Sequence, residues 1–251
     1  MLRVGSMEMH CKLGRVRAMR LLLDRGANVN MQGGEYNNAL QAAASRGEHE
    51  AIQLLLDEGA VVNAQGGPYG NALQAAAYSG IPEAIQLLLD KGADIHAQGG
   101  QYGNALQAAA GKIDAMQLLL HHGADVNAQG GEYGNALQAA AYWGRVRCVR
   151  LLLNKGANVN AQGGVYGTAL QAAVATPFPD DRSNDALHIA EILLDHGADP
   201  TTYVPGSKYG DALSAAKRLW RHHDFYLARF IKLLESKGWK RSGLDIHENR
   251  P

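Results

Sequence analysis

Cysteine is almost missing from this chain: Cys11 and Cys148 are the two among 251 residues, and neither belongs to a CxxC pair. Two isolated thiols cannot build a disulfide framework, which favours a reducing compartment, cytoplasm or nucleus. Net charge is missing too, with 24 Lys and Arg against 24 Asp and Glu, so no global field draws the chain to nucleic acid or an anionic membrane. No stretch approaches the ~18 uninterrupted apolar residues of a membrane span. The opening MLRVGSMEMHCK lacks the continuous apolar segment of a signal peptide. The expectation is a soluble protein.

Catalytic and ligand-holding patterns are equally scarce. His49 and Glu50 begin like the zinc-protease HExxH motif, but Gln53 stands where the second His ligand would be. Gly111-Lys112 is followed by Ile113 rather than Ser or Thr, and Leu106 occupies the place of the first phosphate-loop glycine. The pairs His121-His122 and His222-His223 are adjacent, so on a helix they point about 100° apart and cannot readily share a metal. There is no GxSxG and no Cys/His set at zinc spacing. The expectation is no enzyme, no cofactor and no metal.

What is abundant is repetition. QGGEYGNALQAAA at 129 returns as QGGPYGNALQAAA at 65 and QGGQYGNALQAAA at 98, with looser copies at 32 and 162. The Gly-Gly pairs begin at 33, 66, 99, 130 and 163, and a period of this size marks one supersecondary unit that is stacked rather than folded alone. Before each Ala-Leu stands Asn38, Asn71, Asn104, Asn135, Thr168 or Asp211, all able to accept a hydrogen bond from a free helix-start amide. Three residues later come Gln41, Gln74, Gln107, Gln138 and Gln171, the reciprocal half of a capping box; Ser214 weakens the last copy. Each ALQAAA therefore predicts a first helix, small enough along its length for neighbours to approach closely. A second helix carries Leu runs at 54–56, 87–89, 118–120 and 151–153, each buried Leu contributing roughly 1.5–3 kcal/mol. Gly59, Gly92, Gly123 and Gly156 stand where a helix ends in a left-handed residue. The Gly-Gly then turns an extended piece into a hairpin-like finger.

The phrase (Asn/Thr)-Ala-Leu-Gln-x-Ala-Ala, then Leu-Leu-x-x-Gly-Ala-(Asp/Asn)-Val-Asn-Ala at a 33-residue period resembles the ankyrin repeat. It is especially similar to the Gly-Gly-x-Tyr-Gly-Asn-Ala-Leu-Gln-Ala-Ala type of fungal ankyrin arrays, often joined to NACHT-type NTPase modules. The resemblance implies an all-α solenoid, two helices and a finger per unit, about seven units including imperfect ends, spanning 1–251 as one array. Residues 1–30 form a partial or degenerate first unit, 31–201 the central units, and 202–251 a divergent C-terminal capping unit and tail. Here Asn-Ala-Leu-Gln replaces the family's usual Thr-Pro-Leu-His, and Gly replaces the Asp that opens the finger, so the contacts of those residues do not carry over.

The pattern breaks in four places. SMEMHCKL stands where the first unit should have its ALQAAA helix, either a divergent cap or the mark of a longer array. The unit at 105–120 reads ALQAAAGKIDAMQLLL, two residues shorter than its neighbour, which shortens the turn between its helices. The acidic stretch 174–185, with Pro177 and Pro179, predicts a loop. The segment 217–241 carries eight Lys and Arg against Asp224 and Glu235. Its Trp220, Leu227, Phe230, Ile231 and Leu234 fall on helical spacing and predict a capping helix with a buried inner face. The alternative is a basic patch for nucleic acid or an anionic surface.

Positions fixed across copies cap, turn or pack; positions that vary are free of those duties. One variable row is the fingertip: Glu35, Pro68, Gln101, Glu132, Val165 and Lys208. The other follows the first helix: Ser45-Arg46, Tyr78-Ser79, nothing in the short unit, and Tyr142-Trp143. The resemblance implies that these rows line the concave face where protein partners bind. Tyr142 and Trp143 hold slots that Ser, Arg and Tyr fill elsewhere, which makes them candidate anchors; the other reading of Trp143 is that it covers apolar side chains beside the short unit. The invariant Tyr36, Tyr69, Tyr102, Tyr133, Tyr166 and Tyr209 predict a structural ladder through the fingers. The expected function is non-catalytic protein binding by a monomer, as adaptor, scaffold or the recognition array of a larger receptor.

Overall fold

The structure is a computed structural model that describes residues 16–175, 183–220 and 224–239. The SMEMHCKL segment, most of the 174–185 loop, His222-His223 and the tail from 240 lie outside the described residues. The chain enters on α1 (Val16–Asp24) and continues in helix pairs. These are α2 (Ala39–Arg46) with α3 (His49–Asp57), α4 (Ala72–Ser79) with α5 (Pro82–Asp90), and α6 (Ala105–Ala108) with α7 (Ile113–His121). Then follow α8 (Ala136–Tyr142) with α9 (Val146–Asn154), α10 (Ala169–Val174) with α11 (Ser183–Asp195), and α12 (Ala212–Leu219) with α13 (Asp224–Ser236). First helices pack on first helices and second on second, so the pairs stack into two layers. The architecture is all-helical, with no strand among the described residues.

The caps form as the sequence predicts. Asn38, Asn71, Asn104, Asn135, Thr168 and Asp211 each accept from the backbone amide three residues on. The glutamines do more than their expected share. The reciprocal capping-box bond is made by Gln74 and Gln171, but all five Gln side chains reach across to the next unit. Their Nε2 groups donate to the carbonyls of Gly70 (3.2 Å), Gly103 (3.1 Å), Gly134 (3.2 Å), Gly167 (2.5 Å) and Gly210. A buried amide clamped to a neighbour's backbone binds one unit's helix start to the next unit's finger.

Packing follows size. Ala42, Ala43, Ala44 and their equivalents in later copies are buried in the first layer. Of each Leu run the middle residue is sealed: Leu55, Leu88, Leu119 and Leu152 are 0% exposed. A second ladder crosses the loops after the second helices. Asn30, Asn63, Asn127 and Asn160 each donate to the carbonyl of Gly59, Gly92, Gly156 or Gly197 and accept from an amide two residues later. His96 holds this position ahead of the short unit and makes no such bridge, so the ladder skips one junction. The fold closes on Phe230 and Leu234 of α13, fully buried, with Trp220 edge-on to Phe230 at 5.8 Å. Leu227 and Ile231 are half-buried, the inner face expected of a capping helix.

Candidate partner-binding surface

The fingers are held by backbone. Each is a tight hairpin, with the amides of Gly66, Gly99, Gly130 and Gly163 donating to the carbonyls of Gly70, Gly103, Gly134 and Gly167. Adjacent tips are then joined in a chain: Gln101 N–H donates to Pro68 C=O (2.9 Å), Glu132 to Gln101 (3.0 Å), Val165 to Glu132 (2.9 Å) and Lys208 to Val165 (2.9 Å). The tip side chains take no part in this ladder, and those of Glu35, Pro68, Gln101, Glu132, Val165 and Lys208 are all exposed. That is the physical reason the tip letter can change. Pro68 has no N–H to give, so the chain of tip bonds begins with its carbonyl.

Close approach explains the second glycine of the pairs at 99, 130 and 163. A Cβ on Gly100 would lie 2.4 Å from the carbonyl carbon of Tyr69, and Gly131 and Gly164 are in the same position against Tyr102 and Tyr133. Behind the tips runs the tyrosine row. Tyr36 stacks on Tyr69 at 5.9 Å, Tyr69 on Tyr102 at 6.5 Å, Tyr133 on Tyr166 at 6.1 Å and Tyr166 on Tyr209 at 6.4 Å. The row has one interruption, between Tyr102 and Tyr133.

The first-helix ends lie over this row, so the two variable rows form one continuous face. Arg46 sits over the Tyr36 ring at 5.9 Å, while Ser45 is half-buried and donates to the Ala42 carbonyl. Tyr78 contacts Tyr69 at 5.3 Å and Tyr102 at 5.0 Å, yet remains 42% exposed. Tyr142 stacks on Tyr166 at 4.4 Å and is half-buried, which makes it a member of the tyrosine row. Trp143 is half-buried, meets Tyr142 edge-on at 5.2 Å and lies 6.1 Å from Tyr133, sharing a hydrogen bond with it. Lys208 and Arg218 both lie over the Tyr209 ring.

Burial raises the pKa of four hydroxyls in the row, those of Tyr69, Tyr102, Tyr133 and Tyr166. Tyr133 is pushed up to about 12, first by burial and then by the negative charge of Glu132. Tyr102 and Tyr166 are raised further, by burial and by hydrogen bonds with Tyr78 and Tyr142 respectively. The Cys148 thiol is likewise pushed up to about 11 by burial, which makes it an inert core residue rather than a nucleophile.

At the short unit the face changes character. The helix α6 is cut to one turn, and the pair that follows the first helix in the flanking units, Tyr78-Ser79 and Tyr142-Trp143, is missing. The result is a notch of about 270 Å³ whose walls are Tyr78, Tyr102 and Trp143, whose floor is Ala108, Ala110 and Gly111, and whose rim includes Lys112 and Arg145. Sequence reasoning noted the deletion but missed its consequence. Lys112 and Arg145 could not be picked out there, because which side chains border a gap depends on stacking.

Two charges of the basic C-terminal unit are engaged internally. Arg229 donates to Asn184 (3.1 Å) and lies over Phe225, and Lys237 pairs with Asp195. Among the described residues no three His, Cys, Asp or Glu side chains group to hold a metal, and no helix is long and apolar enough to cross a membrane.

A family model for ankyrin repeats, three copies, matches residues 7–99 and again residues 105–203. The chain belongs to the ankyrin-repeat family. Ankyrin repeats are generally protein–protein interaction modules and typically non-catalytic. The crystal structure of the human ASB11 ankyrin repeat domain is similar, at TM-score 0.72 and 23% identity, covering 94% of this chain and 99% of that one. At that identity the likeness is one of fold. No curated relative matches the chain at a significant level.

Proposed function

We propose that this chain is a non-catalytic protein-binding array that takes its partner on the face made by the fingertips and first-helix ends. The observation that carries the reading is the division of labour at the tips. Backbone bonds fix the position of Gln101, Glu132, Val165 and Lys208 while their side chains stand exposed. A frame that fixes these positions through the backbone presents a pre-ordered surface, and docking there costs little conformational entropy. The concave face, to which the family's arrays owe their use in recognition, is in this reading formed by Tyr78, Ser79, Trp143 and the tips, with Ser45 and Arg46 at one end. Tyr142 contributes chiefly by holding Tyr166 in place.

The array acts as a monomer in the cytoplasm or nucleus, either as an adaptor or scaffold or as the sensing part of a larger receptor. The similarity of its phrase to arrays joined to NACHT-type modules supports the second context. Nucleic-acid binding through the C-terminal unit is the rival, and the internal partners of Arg229 and Lys237 weigh against it.

The test is affinity capture at low and moderate salt with two baits: the natural chain and a variant carrying Tyr78→Ala, Gln101→Arg and Glu132→Arg. A protein held by the natural chain at both salts and lost from the variant is the expected result. Nucleic acid captured by both baits at low salt alone would overturn it, since counterion release makes such binding fall steeply with salt.

A further inference from the structure

We infer that the notch at the short unit is a binding pocket for an acidic side chain of the partner, an Asp or Glu flanked in its peptide by an aromatic or aliphatic residue. The inference rests on the protein-binding reading and assigns that face its anchoring point. Three observations meet here. The deletion removes the pair that follows the first helix in the flanking units, Tyr78-Ser79 and Tyr142-Trp143, so the surface opens at the one break in the tyrosine row. Its large side walls are aromatic: Tyr78, Tyr102 and Trp143 line it, and Tyr78 is exposed. The charge is of one sign, because Lys112 and Arg145 border the notch and no Asp or Glu lines it.

Arg145 is the strongest element. Its Nε is buried without a hydrogen-bond partner, and it lies directly over Gly111, whose added Cβ would stand 3.1 Å away. Neither Arg145 nor Lys112 forms an ion pair among the described residues. The Lys112 stem packs on Gly80, within 2.6–2.9 Å of where a Cβ would be, which anchors the side chain beside the gap. Arg145 as a whole is half-buried, and a guanidinium that meets no acceptor among the described residues is satisfied best by an ionised oxygen. Planar aromatic walls then favour an apolar neighbour of that acid. The combination selects a peptide rather than a metal or a nucleotide: the volume suits one or two side chains, and there is no carboxylate to hold a cation.

The probe is a displayed library of random peptides, followed by fluorescence polarisation on the selected consensus peptide and its Glu→Gln or Asp→Asn analogue. The natural chain should select peptides with an acidic residue next to an aromatic or aliphatic one, and the neutral analogue should bind at least ~10-fold more weakly. Lys112→Glu and Arg145→Gln should each cause a similar loss. The decisive variant inserts Tyr-Ser between Ala110 and Gly111, restoring the length of the neighbouring units. It removes no lining residue and keeps the repeat pattern, so it should fold at least as stably while losing the peptide. A consensus without an acid, or full binding to the insertion variant, would overturn the notch. If peptides still bind that variant but are lost with Gln101→Arg and Glu132→Arg, the notch falls and the wider protein-binding face stands.

Discussion

Single residues in this array divide into those that the stack consults and those that it ignores. Leu119 is sealed between layers, so Leu119→Ala should cost ~2–5 kcal/mol in chemical denaturation. Gln101 contributes its backbone to the tip ladder, and Gln101→Ala should stay within ~0.5 kcal/mol. Equal effects would mean that inner and outer positions are misassigned. Tyr69, Tyr102, Tyr133 and Tyr166 give a pH signature. Their hydroxyls are raised in the folded state, Tyr133 to about 12 from 10.0, so the unfolded chain loses those protons first. Their stabilisation is fully present below pH ~10 and is lost as pH rises from there toward 12. Thermal melts should be flat against pH up to about 9 and fall steeply above 10, and replacing Tyr133 by Phe should reduce that slope. The capping residues and the sealed leucines were legible from spacing alone, because both are local duties. Tyr142 was not: its letter sits in a variable slot, and its stacking on Tyr166 depends on the distance between units.

Helices and fingers hold together through bonds that cross the repeat boundary. Gln74 receives the Asn71 amide, and its Nε2 donates to Ala97 and Gly103 of the following unit. Gln74→Ala should therefore cost ~1–3 kcal/mol, more than the ~1 kcal/mol of an ordinary cap lost in Asn71→Ala, with equilibrium denaturation as the check. Glycine makes a paired prediction. Gly92 has a positive φ of 85° and open space around it, so Gly92→Ala should cost ~1–2 kcal/mol for the left-handed backbone alone. Gly100→Ala carries the same backbone penalty and also forces the finger away from Tyr69, so its cost should be clearly larger. The sequence predicts Gln as half of a capping box, which is its role inside one unit. Its outward reach could not be read there, since a pattern within a repeat says nothing of what the next repeat brings within 3 Å.

The whole molecule is a regular stack with one irregular junction. The period of the Gly-Gly pairs made the solenoid legible, and the shortened step between 99 and 130 made the junction visible as a missing pair of letters. The physical content of that junction came from the stack itself. There the tyrosine row breaks, His96 fails to make the bridge that Asn63 and Asn127 make, and a notch opens beside Arg145. The same stacking turns variable letters into an ordered face. The most direct measurement of that claim is site-specific photo-crosslinking in lysate. A benzophenone amino acid would be placed singly at Tyr78, Gln101 or Val165, and at Glu50, Gln117 or Arg150 on the exposed side of the second helices. The account predicts that one protein crosslinks from the first three positions and not from the other three. Crosslinks chiefly from Glu50, Gln117 and Arg150 would place recognition on the opposite face and contradict it.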